Sequence, residues 1–209
     1  MKKKEAPLSG KVKEIILGSL LGDGSLKIHN GYRNARFSFR HSNRQRSYFL
    51  WKVDLLSEIA APKSVIIQPP DGYSQYEKLR FQSCALPALS EIYTLTHKAR
   101  KFRIRRKWLN QMSALSLAIW WFDDGSLISN SRKGVFCTDG FGLDAQKIIR
   151  QYLKVAWDID VHIGKVKKKR DSIQEEYFRL WLRSTEELKR FLRIILPFTQ
   201  VEELLPKVI

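Results

Sequence analysis

Cysteine is nearly missing from this 209-residue chain, which has only Cys84 and Cys137. That excludes a disulfide-dense scaffold and a cysteine-rich zinc module, and each thiol is expected to be a small buried hydrophobe. Histidine is also sparse: the 4 at positions 29, 41, 97 and 162 have no zinc-ligand spacing. His41 and His97 read as surface or phosphate-proximal residues rather than general bases, and no Ser-His-Asp or Cys-His arrangement can be assembled. Long apolar runs are absent. Residues 117–122 form the longest, far short of the roughly 20 needed to span a bilayer, and the basic Met1-Lys2-Lys3-Lys4-Glu5 start has no apolar stretch behind it. These absences point to an intracellular protein with no membrane partner, in the cytoplasm or nucleoid of a prokaryote or in a mitochondrion or chloroplast. Acidic residues are few as well, 21 against 38 Lys and Arg, for a net charge of +17. Such a surplus favours a polyanionic partner such as nucleic acid and says nothing about fold. Apolar residues make up 44% of the chain, which is enough for a folded core.

What is present is a repeated grammar. Ile15-Ile16-Leu17-Gly18-Ser19-Leu20-Leu21-Gly22-Asp23-Gly24-Ser25-Leu26 and Leu115-Ser116-Leu117-Ala118-Ile119-Trp120-Trp121-Phe122-Asp123-Asp124-Gly125-Ser126-Leu127 both end in Asp-Gly-Ser-Leu. Their aspartates lie 101 positions apart. Tyr76, Leu79, Phe81 and Ser83 match Tyr177, Leu180, Leu182 and Ser184 at the same offset, so an internal duplication accounts for the pattern. Hydrophobic periodicity predicts helix, two strands, helix, two strands, helix in each half. In the first half the helices are expected over residues 11–22, 45–59 and 86–93, and the strands over 25–29, 35–41, 64–68 and 76–82. The second half repeats this with helices over 113–122, 144–157 and 185–195 and strands over 126–128, 134–138, 160–167 and 176–183. Asn30-Gly31 and Pro69-Pro70-Asp71-Gly72 are turn signals. The halves are assigned to 8–97 and 111–209. Between them lies a basic linker, 98–110, read as held against something negative.

Strand alternation assigns the faces. Arg36, Ser38 and Arg40 oppose Phe37 and Phe39; Lys78, Arg80 and Gln82 form a second polar row, and Arg179, Trp181 and Arg183 a third. One such row is what any antiparallel sheet with a wet face shows, but several together with +17 favour a major-groove reader, with Arg suited to guanine and Gln to adenine. Lys165 and Lys167 are expected to contact phosphate near a hairpin tip. Most aromatic residues, Trp120, Trp121 and Phe122 among them, are expected in the core.

Gly18 and Gly22 share a helix face, as do Ala114 and Ala118, and the small side chains would let two helices approach closely. Glycine inside a helix costs about 1 kcal/mol relative to alanine, which close packing would justify. Gly24 and Gly125 are expected to supply the turn out of each helix. Asp23 and Asp124 then meet at two helix C-termini, where the dipole and mutual repulsion disfavour both charges. A divalent cation reverses that balance, since carboxylates and terminal carbonyls are hard ligands. The expected metal set is Asp23, Asp124 and the backbone carbonyls of Gly22 and Asp123. The chemistry expected is phosphodiester hydrolysis by a metal-activated water, each aspartate serving one strand.

These motifs resemble the LAGLIDADG homing endonucleases of the single-chain, two-motif, intron-encoded type. The copies are residues 16–24 and 117–125, and the resemblance covers about residues 10 to 205. The second copy departs from the pattern in having Ile119 and Trp120 where small and aliphatic residues are usual. The resemblance implies an α+β fold of pseudo-twofold duplicated αββαββα units, with a central packed helix pair and two four-stranded antiparallel sheets forming a DNA-binding saddle. It implies a monomer that cuts a long double-stranded DNA target, leaves short 3′ overhangs and promotes intron homing. Its essential acidic position carries over to Asp23 and Asp124, with Mg2+ as cofactor and Mn2+ as a substitute. Its catalytic basic residue carries over to Lys101 or Arg103 in the first half and to Gln200 or another residue in the second. The alternatives are a maturase that binds intron RNA and a non-catalytic DNA-binding regulator of the same fold.

Overall fold

The computed structural model describes residues 7–70, 75–170 and 173–209, without the side chains of 168–170, 173 and 174. Asp71 and Gly72 of the second turn signal lie outside the described residues. Ser9 accepts the Val12 amide on its side chain and starts helix α1 (Gly10–Ser19). Strands β1 (Ser25–Lys27) and β2 (Arg36–Ser42), helix α2 (Arg46–Leu55), strands β3 (Val65–Gln68) and β4 (Lys78–Gln82) and helix α3 (Pro87–Thr96) follow. A short hairpin of β5 (His97–Lys98) and β6 (Lys101–Phe102) and helix α4 (Arg106–Leu109) lead to the second unit. That unit comprises α5 (Ala114–Asp124), β7 (Gly125–Ile128), β8 (Lys133–Phe136), α6 (Leu143–Trp157), β9 (His162–Arg170), β10 (Ile173–Leu182) and α7 (Thr185–Ile195). The sheets run β1-β2-β4-β3 and β7-β8-β10-β9, antiparallel throughout, so the αββαββα order is present twice.

The ladders refine the duplication. Leu26 pairs with Phe37 and Leu127 with Gly134; Phe39 pairs with Phe81 and Phe136 with Leu180. Phe81 and Leu180 are therefore equivalent at a separation of 99, and the buried pairs Leu89 and Leu188, and Ile92 and Phe191, keep that separation. The match of Tyr76 to Tyr177 at 101 is thus two residues out of structural register, because connecting loops differ in length between the halves. An even slip leaves every side chain on its assigned face.

The two motif helices pack against each other without a spacer. A Cβ on Gly18 would stand 2.3 Å from the Ser116 carbonyl oxygen, and one on Gly22 would stand 2.5 Å from the Asp123 Cβ. Ser116 shares a capping box with Ser113 and donates its hydroxyl to the Glu14 carbonyl at 2.8 Å, which ties α5 to α1. Close approach through Gly18 and Gly22 is as expected, but the residues that meet them are Ser116 and Asp123, not Ala114 and Ala118. Gly24 and Gly125 also act differently from expectation. Neither has a positive φ; Gly125 is extended (φ −82°, ψ 151°), and a side chain at either position would collide, with Ser19 at 2.6 Å or the Trp121 ring at 2.2 Å. Their requirement is space rather than a left-handed turn. Among the described residues Gly31, at φ 80°, is the glycine whose backbone needs that freedom.

The basic stretch between the halves is folded rather than a free connector: Ile104, Trp108 and Leu109 are buried, and Trp108 Nε1 donates to the Arg103 carbonyl at 2.9 Å. Trp120 stacks on Phe136 with centroids 4.2 Å apart, and Trp121 meets Phe191 edge-on at 5.2 Å, so the aromatics of the second motif fill the core. Cys84 and Cys137 are half-buried and outside any disulfide, rather than core residues. Among the described residues no helix is long and apolar enough to cross a membrane.

Replacing Gly18 by Ala should destabilise the protein by about 1–3 kcal/mol through overpacking. Gly10→Ala, with nothing within 4 Å of the added methyl, should be neutral or mildly stabilising. Urea denaturation of the two variants checks the contrast.

Candidate active site and nucleic-acid face

Asp23 leaves α1 and Asp124 ends α5, so the helix contact brings the two carboxylates to one place. Burial, followed by repulsion from Asp123, pushes the Asp23 carboxyl up to about 7. Burial, then Asp23, then Asp123 push Asp124 up to about 7 as well. The Asp23 side chain is still 41% exposed, so water screens part of this penalty. Lys207 answers the negative end of α5: its Nζ donates to the carbonyls of Phe122 (2.6 Å), Gly125 (3.1 Å) and Asp123 (3.4 Å). Burial lowers the Lys207 pKa. The Asp123 carbonyl, expected as a metal ligand, thus already shares one acceptor site with an ammonium.

The Asp123 carboxylate is where sequence reasoning fell short. Its side chain is wholly buried, and Lys52, also wholly buried, grips it at 2.9 and 2.8 Å. Tyr48 donates its hydroxyl to the same carboxylate at 2.7 Å, and the Asp23 amide donates to it at 3.3 Å. His41, expected at the surface, is 4% exposed and bridges the cluster, with Nδ1 3.4 Å from Asp23 and Nε2 3.7 Å from Asp123. Burial and the Lys52 charge lower its pKa to about 4, so its ring is neutral at pH 7. Lys52 and Lys207 carried no motif signal. One hint did exist for Lys52: it sits at core spacing from Phe49 and Leu56.

On the other side Asp124 opens onto a cavity of about 660 Å³ lined by Gly22, Gly24, Tyr93, His97, Arg100, Phe102, Cys137, Thr138 and Phe141, among others. Arg100 reaches it from the tip of the β5–β6 hairpin, where Ala99 and Arg100 hold φ values of 49° and 60°, a strained state for non-glycine residues. Lys101 and Arg103 are exposed and do not line the cavity. Gln200 is exposed and accepts the Trp51 indole N–H at 3.3 Å.

The first sheet assembles its polar face across strands. Ser38 pairs with Gln82, Arg40 with Arg80 and Lys27 with Arg36, and Lys78 lies between Ser42 and Gln68. Residues paired across a ladder share a face, so Arg36, Ser38, Arg40, Lys78, Arg80 and Gln82 form one surface. The second sheet is different. Arg179 faces the same side as Trp181, but its Nη2 is bound to Asp139 at 2.7 Å and both side chains are largely covered. Lys165 pairs with Phe178 and Lys167 with Glu176, so both belong to the opposite face, where Lys165 contacts Glu176 at 2.6 Å. These lysines, expected on phosphate near a hairpin tip, therefore lie on the other face from the row of Arg179, Trp181 and Arg183. Trp181 lies over Gly164, whose missing side chain makes room for the indole, and Arg183 is exposed.

For a divalent cation the donor chemistry fits. Asp23 and Asp124 are paired oxygen donors whose ionisation is disfavoured until positive charge arrives. Asp23, His41 and Asp123 also place ligand atoms within 4.8 Å of one another, but Lys52 already neutralises Asp123.

Residues 13–190 match the sequence model of the LAGLIDADG DNA endonuclease family. Protein RecA of Mycolicibacterium chitae is 29% identical over 172 residues, which cover 75% of this chain and 38% of that protein. DNA endonuclease I-ChuI of Chlamydomonas applanata is 25% identical over 76% of this chain and 78% of its own length. Cytochrome b mRNA maturase bI2 of Debaryomyces hansenii is 26% identical over 73% and 59%. The chain spans less than two fifths of the first of these, RecA, at 38%. Among solved structures, the homing endonuclease I-WcaI bound to its DNA recognition sequence superposes with a TM-score of 0.81 at 19% identity, covering 100% of this chain and 90% of that one. I-DmoI in complex with DNA and Mn gives 0.50 at 14% identity, covering 90% and 97%. At these identities the structures show a shared fold.

Both aspartates have pKa values raised from 3.8 to about 7, so the stability they contribute is full below pH 3.8 and is lost as pH rises to about 7. Without divalent cations, Asp23→Asn should therefore gain in melting temperature relative to the unaltered protein on going from pH 4 to pH 8. A difference between the two that does not change with pH, measured by calorimetry in chelator, would refute this electrostatic account.

Proposed function

The chain belongs to the LAGLIDADG DNA endonuclease family, and from that premise we propose that it is a site-specific endonuclease that hydrolyses one phosphodiester in each strand of a long DNA duplex. The observation that carries this reading is the meeting of Asp23 and Asp124, one from each motif helix, at a charge-starved site between two sheets. Arg36, Ser38, Arg40, Lys78, Arg80 and Gln82 are proposed to enter the major groove from the first sheet, and Trp181 and Arg183 from the second. Arg179, held by Asp139, would stiffen the second sheet unless DNA displaces the carboxylate. Asp23 and Asp124, with the carbonyls of Gly22 and Asp123, would hold Mg2+ or Mn2+, which supplies an acidified water and stabilises the leaving oxygen.

The remaining steps belong to side chains of this chain. Each aspartate serves the scissile phosphate of one strand, and Arg100 stands ready for phosphate on the Asp124 side. Short 3′ overhangs and a role in homing of the encoding element follow from the family resemblance. We further propose that the protein acts as a monomer, with halves 8–97 and 111–209, in a prokaryote or an organelle. A second reading, binding of intron RNA as a maturase, is favoured by the similarity to maturase bI2.

Selection of cleaved sites from a randomised duplex library in Mg2+ should yield one long target. Asp23→Asn and Asp124→Asn should each lower cleavage at least about 100-fold while leaving binding largely intact. Cutting that persists in both variants would overturn the assignment; splicing rescue without DNA cutting would favour the maturase. Replacing Arg100, the cation placed for phosphate on the Asp124 side, by Ala should reduce the salt slope of binding by about 1.

A further inference from the structure

Lys52 is out of place in the core. Lysine is almost never fully buried, yet it stands where the matching helix has an aliphatic residue. Phe49 and Lys52 on α2 and Leu56 at its C-terminal cap are spaced as the buried Gln146, Ile149 and Leu153 are on α6. Its partner is equally out of place: Asp123 occupies the motif position that Gly22 holds in the first copy. Each departure alone would strand a buried charge, whereas together they form one ion pair between the halves. An apolar couple of similar volume serves packing as well or better, so packing does not account for the pair.

What the pair does that an apolar couple cannot is hold a carboxylate beneath Asp23. Asp123 accepts the Asp23 amide at 3.3 Å and the Tyr48 hydroxyl at 2.7 Å, and His41 spans the two carboxylates. Among the described residues the matching position of the other half holds no such ion pair. Gly22 offers no side chain there, and Thr138, at the ladder position of His41, gives its hydroxyl to Gln146 Oε1 at 3.0 Å, leaving the cavity.

We infer that Lys52 is a positioning residue that acts through Asp123 on Asp23 more directly than on Asp124, so that the two strands of the target are cut under unequal control. The inference rests on the proposed double-strand nuclease activity and adds a strand-specific determinant to it. The test uses the full chain and a cognate duplex labelled separately on each strand, with both cleavage rates followed in Mg2+ and binding followed in Ca2+. In the double variant Lys52→Met with Asp123→Leu, both buried charges are removed and the core stays apolar. It should melt close to the unaltered protein and bind the duplex within about threefold, yet change the ratio of the two strand rates at least about 10-fold, with nicked duplex accumulating. Should that variant fail to fold, Lys52→Arg keeps the charge, displaces the Asp123 carboxylate and should still move the ratio at least about threefold. An unchanged ratio in a folded variant, whether both rates fall together or neither does, would reduce Lys52 to a core residue and overturn the inference. An unaltered protein that cuts neither strand would sink the nuclease reading and this inference with it, and the same assay tells the two failures apart.

Discussion

The contact between α1 and α5 is the constraint on which the other features depend. Two helices can approach so closely only where one has no side chain, and Gly18 meets the Ser116 carbonyl while Gly22 meets Asp123. That approach sets both sheets around one axis and forces Asp23 and Asp124 together at the helix ends. The result is electrostatically unfavourable. Carboxylates that are partly desolvated and near one another resist ionisation, and their pKa values of about 7 express that cost. A fold that maintains such a site stores a demand for positive charge, which a divalent cation on DNA can meet.

Duplication produced two similar halves, but side-chain divergence made their sites unlike. Asp123, Lys52, Tyr48 and His41 fill the space beside Asp23 with a buried polar cluster. The matching space beside Asp124 is a cavity reached by Arg100 from a strained hairpin tip. Breaking a buried ion pair by removing one partner costs roughly 3–5 kcal/mol, so neither Lys52 nor Asp123 could drift without the other.

The sheets diverge in the same way. The first presents a contiguous row of Arg, Ser, Lys and Gln with cross-strand register. The second spends Arg179 on Asp139 and turns Lys165 toward Glu176. Net charge alone would have treated these cations as equivalent. Their availability to a phosphate or a base edge is set by neighbouring carboxylates.

Much of the architecture was readable from residues alone, because its signals are local. Alternation in Arg36-Phe37-Ser38-Phe39-Arg40, the repeated Asp-Gly-Ser-Leu and the paired glycines each reflect a period or a space requirement within a few positions. Those signals placed the helices, the strands, the polar faces and the two aspartates. They could not show that Asp123 is buried on Lys52 from 71 positions away, that His41 lies beneath Asp23, or that Lys207 caps α5 from the chain end. Nor could they show that Arg100 rather than Lys101 lines the cavity. Each of these depends on where separate elements dock, and a charged residue in a sequence carries no mark of the partner that will neutralise it. Local chemistry determined which parts were made; packing decided which of them meet.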